Sequence, residues 1–465
     1  MVYVNMDKLW IYGLVSLIML ASCTQAVTVE YYNRLGAMEV DGETEAAVRQ
    51  IRETRDVYGK KGRLQYLMDL GMALFLDKKA RQSNAVLSQA EVLVEDLYTR
   101  HVSAYTASLF SSDLSLPFRG EPFEQAYINV IKMMNYLRLG SLKDALIEAR
   151  RAEKRIDFAA SLNKKLRFRN DPFIHYMAGL MYQASGQYND ALISYKNAIR
   201  YYDVQRSFSG VGIPRFLPGL AVFCAQRIGD TDAIQTLEDR FPDAIDTARR
   251  FKGKRMVVLI QLAGLAPVKA ERFMEMTVGH GMAYIQQWNV ESSEQDRVRQ
   301  VMSAGKSMAG RNVTIAIPVY HARGEYLGPA CMLNGADRVC AQTVDNLDIV
   351  ARACLEDEMP NIMARTIARA VVKFVTAEVA RIAAEKASKR GWVGLLVGLT
   401  AQTVMSVLEH ADTRVWGTLP SRTRIGVMPG SVGGPVQVVV GDETDNNLRC
   451  YPDNSRDCFI LLRTP

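Results

Sequence analysis

The sequence lacks the residue spacings that most metal and catalytic sites require. Its five histidines are scattered, and no His-x-x-His or His-Glu-x-x-His spacing brings two of them onto one helix face. No Cys-x-x-Cys pair, histidine–cysteine cluster or Gly-x-Ser-x-Gly nucleophile motif is present. These absences argue against a metal centre and supply no catalytic residue set. We therefore expect no cofactor and a non-enzymatic role.

A strong charge of one sign is also missing. The 465 residues carry a formal net charge of +7, with 23% charged and 48% hydrophobic residues. This is an ordinary balance for a globular chain, and the length predicts two or three domains. So mild a basic bias does not predict nucleic-acid binding, and it suits anionic lipid, lipopolysaccharide or glycan surfaces equally well.

The N-terminus carries the most specific pattern. The uncharged run from Leu9 to Leu20 has the length of a signal-peptide core and is too short to span a bilayer comfortably. It ends in Leu20-Ala21-Ser22-Cys23, which resembles the lipobox of bacterial lipoproteins. We therefore predict a lipoprotein signal peptide over residues 1–22 and lipid attached to Cys23. By analogy with such lipoproteins, Thr24 implies an outer-membrane location with the body facing the periplasm. A signal that stays uncleaved, or is cleaved without lipidation, would share the apolar run.

Six cysteines follow Cys23, and an oxidising compartment allows them to pair. Cys331 and Cys340 flank residues 334–337, where a four-residue hairpin loop would place them opposite one another on two strands. Cys450 and Cys458 bracket a second turn-rich stretch. The spacing favours these two disulfides. The alternative is that all six cysteines are small buried hydrophobic residues.

Small and aromatic residues recur in the first half with the spacing of paired antiparallel helices. Between residues 172 and 203, Gly179 and Ala191 allow two helices to approach, Tyr182 and Tyr195 fill the groove between them, and Gly186 supports the turn. This pattern resembles the tetratricopeptide repeat. Weaker copies flank it at longer spacings than that repeat uses, so we predict an interrupted helical repeat array over residues 23–252. An irregular helical bundle is the alternative.

The second half predicts strands on both sides of a helical insertion. Apolar, β-rich runs predict a β-rich segment over residues 253–345, helical periodicity returns over 346–410, and strand patterns resume over 411–465. The last strands are expected to complete one sandwich-like domain with those before the insertion. The predicted fold is thus α + β and multidomain.

One part of the insertion is strongly apolar. Trp392 to Leu408 contains no charged residue, and it places Gly394 and Gly398 in a GxxxG arrangement. Because the run falls short of the usual transmembrane length, we predict a buried helix packed closely through its glycines. A membrane helix or a dimer face is the alternative.

With these features in place, the chain resembles a family of bacterial lipoproteins that carry tetratricopeptide repeats and a C-terminal β-rich domain. The resemblance implies an envelope scaffold and supplies no catalytic residues. The chain departs from the family in a longer polar insertion near 290–311 and in extra cysteines. Besides the lipobox, the segments that carry the resemblance are Phe118-Arg119-Gly120-Glu121-Pro122-Phe123-Glu124, Gly264-Leu265-Ala266-Pro267-Val268-Lys269, Ala411-Asp412-Thr413-Arg414-Val415-Trp416 and Leu419-Pro420.

Stacked helix pairs leave a concave groove that can bind an extended peptide or a partner helix. The predicted function is therefore a lipid-anchored scaffold that gathers another periplasmic or outer-membrane protein. The alternative is an envelope glycan- or lipid-binding protein that assists cell-wall synthesis. The candidate groove residues come from the first helix of each pair: Asn129, Lys132, Asn135, His175 and Tyr182.

Overall fold

A computed structural model describes residues 27–104, 113–162, 170–278, 312–323, 327–335, 337–387, 410–430, 436–441, 443–445 and 457–464, with single positions at 280, 283, 303, 310 and 450. Helices and strands are both present, so the predicted mixed α/β composition is confirmed. The signal peptide, Cys23 and the apolar run 392–408 lie outside the described residues.

Helices dominate the first half of the described chain. Two short 3-10 turns, Arg55–Tyr58 and Asp113–Ser115, lie between them, and a further helix, α12 (Leu347–Ala387), follows much later. The helices before the first strand are α1 (Val29–Val40), α2 (Thr44–Glu53), α3 (Arg63–Leu76), α4 (Ala80–Ala104), α5 (Pro122–Arg138), α6 (Leu142–Leu162), α7 (Pro172–Ala184), α8 (Tyr188–Ser209), α9 (Leu217–Ile228), α10 (Thr231–Arg240) and α11 (Ala244–Phe251).

The helix ends follow from local sequence. Helix α7 begins where the Asp171 carboxylate accepts a hydrogen bond from the Phe173 N–H at 2.9 Å, and Pro172 occupies the first turn, where no N–H is needed. Helix α8 ends at Gly210, whose φ of 64° is in the left-handed region that favours glycine. Asp171 and Gly210 thus mark where the α7–α8 pair begins and ends.

Consecutive helices pack as antiparallel pairs through small residues. A Cβ on Gly179 would lie 2.4 Å from Cδ1 of Tyr195, and a Cβ on Gly71 would lie 2.3 Å from Cδ2 of Leu87. Gly186 turns the chain between α7 and α8 with a φ of 75°. The close approach predicted at Gly179 and the turn at Gly186 are therefore confirmed, because a side chain at either position would clash or be strained.

The strands form two four-stranded sheets and a two-stranded ribbon. The first sheet has the order β10-β1-β7-β6, the second β5-β4-β8-β9, and β2 pairs with β3. In the first sheet, β1 from before α12 lies between β7 and β10 from after it, parallel to β10 and antiparallel to β7. The strands are β1 (Arg255–Ala263), β2 (Leu265–Thr277), β3 (Asn312–Arg323), β4 (Cys331–Asn334), β5 (Asp337–Cys340), β6 (Gln342–Asn346), β7 (Arg422–Gly430), β8 (Gln437–Val440), β9 (Glu443–Asp445) and β10 (Cys458–Thr464).

The first sheet is buried on both faces. On β1, Val258 and Ile260 join the large apolar cluster formed with the helices, whereas Val257 and Leu259 pack with Met332 of the second sheet. Because side chains alternate along a strand, one apolar run serves both interfaces. The helices, the first sheet and the second sheet thus form successive layers.

An extended stretch, residues 411–421, runs between the helices and the strands, and we call it the central segment. Its Trp416 N–H donates to Glu124 Oε1 of α5 at 2.7 Å, and its Thr418 hydroxyl donates to Asp69 Oδ1 of α3 at 2.8 Å. The Tyr32 hydroxyl of α1 lies 2.7 Å from the Val415 carbonyl oxygen. Side chains of three helices therefore satisfy backbone and hydroxyl groups of one irregular segment, as burial requires.

Arg323 of β3 connects the central segment to the β2–β3 ribbon through hydrogen bonds. Its buried guanidinium donates to the carbonyl oxygens of Ala266 at 2.8 Å and Tyr32 at 2.9 Å, and also to that of Gly417. A buried guanidinium needs several acceptors, and these carbonyls come from β2, α1 and the central segment. One side chain thus joins the first helix, the ribbon and the central segment.

Several carboxyl groups are buried in this interface. Burial raises the pKa of Asp69 to about 7, although hydrogen bonds from Thr418 and Tyr32 oppose the increase. Burial also raises the pKa of Glu124 to about 7, with repulsion from Glu121 adding to it. The folded chain therefore binds protons at these sites more tightly than an unfolded chain would.

We expect Gly417→Ala to destabilise the protein by about 2 kcal/mol, because the added Cβ would lie 2.4 Å from Cε1 of the Tyr32 ring. Chemical denaturation measures the change in the free energy of unfolding. Gly212→Ala is the matched control, since a Cβ there meets nothing within 4 Å. Equal effects of the two substitutions would contradict the described packing of the central segment.

Stability is expected to fall as pH rises from about 5 to about 8, because the pKa values of Asp69 and Glu124 are raised on folding. Their stabilising contribution is complete below the unfolded pKa near 4 and is lost as pH passes the folded pKa near 7. Melting temperature should drop by roughly 5 °C across this range. Asp69→Asn should flatten the profile, and stability that rises towards pH 8 would refute the assignment.

Candidate functional site

A cavity of about 300 Å³ lies between α6, α7 and α8. Helix α6 contributes Arg150 and Glu153, α7 contributes His175 and Tyr182, and α8 contributes Ser194, among others. Polar groups of both charges thus converge in one recess. Two of the five predicted groove residues, His175 and Tyr182, line it.

A histidine and a carboxylate form the centre of this cavity. Nδ1 of His175 lies 2.9 Å from Glu153 Oε1, and the Ser194 hydroxyl donates to the same oxygen at 3.0 Å. The His175 ring stacks on Tyr201, with centroids 5.3 Å apart, and the residue is only 4% exposed. Its Nε2 has no hydrogen-bond partner among the described residues. Since buried polar atoms are nearly always paired, Nε2 is a buried polar atom of His175 whose hydrogen bonding is incomplete.

The rim of the cavity combines a cation with an aromatic ring. The Arg150 guanidinium lies 5.3 Å from the centroid of the Tyr182 ring, and its Nε donates to the Tyr182 hydroxyl at 3.3 Å. Its Nη2 donates to Gln187 Oε1 at 2.6 Å, which fixes the side chain at the helix turn. Burial raises the pKa of Tyr182, and the hydrogen bond from Arg150 opposes this. Tyr182 therefore stays neutral and available as a hydrogen-bonding aromatic surface.

Ser194 and His175 are not arranged as a nucleophile and its base. Nδ1 of His175 and the Ser194 hydroxyl both approach Glu153, so the serine is bonded to the carboxylate and not to the imidazole. A serine nucleophile requires a base bonded to its own hydroxyl. The three groups are instead arranged so that Glu153 orients the imidazole and leaves Nε2 unpaired.

The other three predicted groove residues are buried inside the helix array. Lys132 places its ammonium 2.7 Å from Glu91 Oε2 and 3.1 Å from Glu148 Oε1. Asn129 donates to the same two carboxylates at 3.0 and 2.8 Å, and Asn135 donates to the Ser83 hydroxyl at 2.8 Å. Burial favours a higher pKa for Glu91, but Lys132 and Asn129 outweigh it and lower that pKa. These residues join α4, α5 and α6, so their prediction as open groove residues is corrected.

The inner face of the helix pairs is occupied by the chain itself. Asp69 and Glu124 bond the central segment, and the Tyr127 hydroxyl of α5 bonds Asp345 of β6. The Tyr202 hydroxyl of α8 donates to the Val344 carbonyl oxygen at 2.8 Å. A partner cannot enter this face without displacing the chain's own strands.

The predicted cysteine pairs are joined in the structure. Cys331 bonds to Cys340 across β4 and β5, and Cys450 bonds to Cys458 at the start of β10. The first hairpin is tighter than the expected four-residue loop, because Asn334 already pairs with Asp337. The first bridge lies in the second sheet, and the second bridge involves the first residue of β10 in the first sheet.

Sequence reasoning missed Arg150, Glu153 and Ser194. All three come from the second helix of a pair, whereas the predicted groove residues come from the first helices. Glu153 lies in a run of mixed charges, Arg150 to Arg155, that is typical of a solvated helix face. Only contact with His175, 22 residues later, distinguishes it.

Within the described ranges, no three histidine, cysteine or acidic side chains converge as metal ligands would. Among the helices of the same residues, none combines the length and apolar character needed to cross a membrane. No protein family model matches the chain, and no curated protein is found that matches it.

Lys132→Met should destabilise the protein by about 3 kcal/mol, because it leaves the carboxylates of Glu91 and Glu148 without their buried counter-ion. Urea denaturation measures the loss. Arg151→Met is the matched control: Arg151 also lies 2.9 Å from Glu148, but its side chain is 51% exposed, so its removal should cost less than about 1 kcal/mol. A smaller loss for Lys132→Met than for Arg151→Met would contradict the structural role.

Proposed function

We propose that this protein is a lipid-anchored envelope protein that binds a segment of another periplasmic or outer-membrane protein in the cavity between α6, α7 and α8. The observation that carries the proposal is the convergence of charged, hydroxyl and aromatic side chains in that cavity around the His175–Glu153 pair. Lipid on Cys23 provides the anchor, and no catalytic step is required.

The chemistry of the cavity suits an extended peptide. Carboxylates of Asp157 and Asp190 line the cavity with the cations of Arg150 and Lys154, so it offers acceptors for peptide N–H groups and donors for peptide carbonyl oxygens. Ile193 lies on the rim with 51% of its surface exposed and offers an apolar contact. Tyr182 and Arg150 add an aromatic surface and a cation. Polar selection beside apolar contact is the usual basis of peptide recognition.

Because the protein is tethered, weak binding in the cavity is sufficient. A lipid anchor restricts the protein to one surface, which raises the effective local concentration of any partner in the same envelope layer. Affinity in the micromolar range is then enough for a scaffold. This removes the need for the large groove that the inner helix face was expected to provide.

We further propose that the helix pairs are a tetratricopeptide-like array and that the two packed sheets form a sandwich-like domain. The close approach of Gly179 to Tyr195 supports the first assignment. The shared apolar cluster around Leu259 and Met332 supports the second. In this arrangement the array holds the β-rich domain on its inner face and presents the cavity on another.

A photo-crosslinking residue in place of Ile193 should capture a protein partner in intact cells. The matched control is the same residue in place of Val92, an apolar side chain of α4 that is 66% exposed. We expect a discrete adduct from position 193, none from position 92, and loss of the adduct in a His175→Phe background. Phenylalanine keeps the stacking on Tyr201 and removes Nε2, so the fold should be retained.

Mass spectrometry of the adduct decides between the classes of partner. A protein adduct that depends on His175 supports the proposal. An adduct with glycan or lipopolysaccharide would contradict it and favour the glycan- or lipid-binding alternative. Absence of any adduct at position 193, or the same adducts at position 92, would also refute it.

A further inference from the structure

Residues 54–63 form a basic surface where the chain enters the fold. This 54–63 segment contains four basic side chains, Arg55, Lys60, Lys61 and Arg63, and one acidic side chain, Asp56. All four basic residues are exposed. Neither lysine is paired with a carboxylate among the described residues. Their charges are therefore available to an external anion.

The segment is held in place by its backbone. The Phe118 N–H donates to the Lys61 carbonyl oxygen at 2.8 Å, and Gly59 takes a φ of 62°. Gly62 lies so close to Tyr58 that an added Cβ would be 2.2 Å from the Tyr58 carbonyl oxygen. Glycine is therefore required on both sides of the two lysines, and the turn presents them in a defined direction.

The same segment packs against the first turn of α1. Thr28 caps this helix by accepting a hydrogen bond from the Tyr31 N–H at 3.2 Å. The Tyr31 hydroxyl lies 2.8 Å from Thr54 Oγ1, and the rings of Tyr31 and Tyr58 have centroids 5.9 Å apart. The segment is thus beside the point at which Val27, itself buried, enters the core.

The proposed lipid site is only four residues before that point. Four residue steps, from Cys23 to Val27, span at most about 14 Å when fully extended. A body whose first buried residue is so close to an acyl anchor cannot turn freely above the membrane. The surface that surrounds Val27 must then lie near the lipid headgroups.

We propose that the 54–63 segment binds anionic lipid headgroups of the membrane that holds Cys23, and that this contact sets the orientation of the protein on the membrane. The inference rests on the proposed lipid anchor. Its further support is the match between four exposed cations and an anionic surface within reach of the tether. Basic residues beside an anchor act as a second membrane-binding signal, each strengthening binding several-fold.

Lysine footprinting on the full lipidated chain tests the contact. The protein is reconstituted on vesicles of phosphatidylcholine alone and of phosphatidylcholine with phosphatidylglycerol, and acetylation is read by mass spectrometry. We expect Lys60 and Lys61 to react about fivefold or more slowly on the vesicles with phosphatidylglycerol. Lys252 and Lys254 are the matched control, because these exposed lysines lie outside the 54–63 segment, between α11 and β1, and should react equally on both.

Charge reversal identifies the cause of the protection. The variant Arg55→Glu with Arg63→Glu should restore the reaction rate of Lys60 and Lys61 on the anionic vesicles. Arg249→Glu with Arg250→Glu, which alters exposed residues of α11, should leave the protection intact. Salt at molar concentration should abolish the protection, and inorganic phosphate added to phosphatidylcholine vesicles should not reproduce it.

Failure of the inference and failure of the anchor give different results. If the wild-type chain does not float with phosphatidylcholine vesicles, or if Cys23→Ser floats equally well, the lipid anchor is wrong. If the chain floats but Lys60 and Lys61 react equally on both vesicles, the headgroup contact is wrong and the anchor stands. Protection reproduced by free phosphate would likewise refute a lipid surface as the ligand.

Discussion

The whole arrangement depends on hydrogen bonds between buried carboxyl groups of the helices and the central segment. Asp69 accepts a hydrogen bond from the Thr418 hydroxyl, and Glu124 accepts one from the Trp416 N–H. Arg323 donates hydrogen bonds to carbonyl oxygens of three parts of the chain. Each of these groups would be costly to bury without its partner. The helix pairs and the strands are therefore not independent units that happen to touch. They share one buried polar interface, in which the hydrogen-bonding groups of each are paired with those of the other.

Sequence patterns predicted the parts of this fold that depend on local spacing. Gly179 and Tyr195 were recognised because two packed helices require a small residue opposite a large one. The strand patterns on both sides of α12 were visible because apolar runs are short and end in turns. Lys132 was misjudged because a lysine on a helix is usually solvated, and its two carboxylate partners lie 41 residues before and 16 residues after it. The cavity was missed in part for the same reason, since helix periodicity cannot show that Glu153 meets His175.

The strands and the central segment cover one surface of the helices, and this limits where a partner can bind. Strands and the central segment already contact the helix side chains of Tyr127, Tyr202 and Glu124, so the helix surface around these residues is not open to a partner. The cavity between α6, α7 and α8 is formed by the second helices of two pairs with one first helix between them. The 54–63 segment lies beside the first turn of α1, at the other end of the helix series. The proposed membrane contact and the proposed partner site thus involve different helices.

The pairing of β1 with β10 has a consequence for how the protein is made. Val257 aligns with Cys458 and Tyr32 contacts the Val415 carbonyl, a separation of 383 residues in the second case. Closing such long loops costs entropy that only the finished interface repays, so topology of this kind slows folding. The apolar inner side of the helices stays uncovered until the last strand is synthesised. The proposed export through a membrane as an extended polymer would benefit from this delay, because the first sheet cannot be completed before β10 is available.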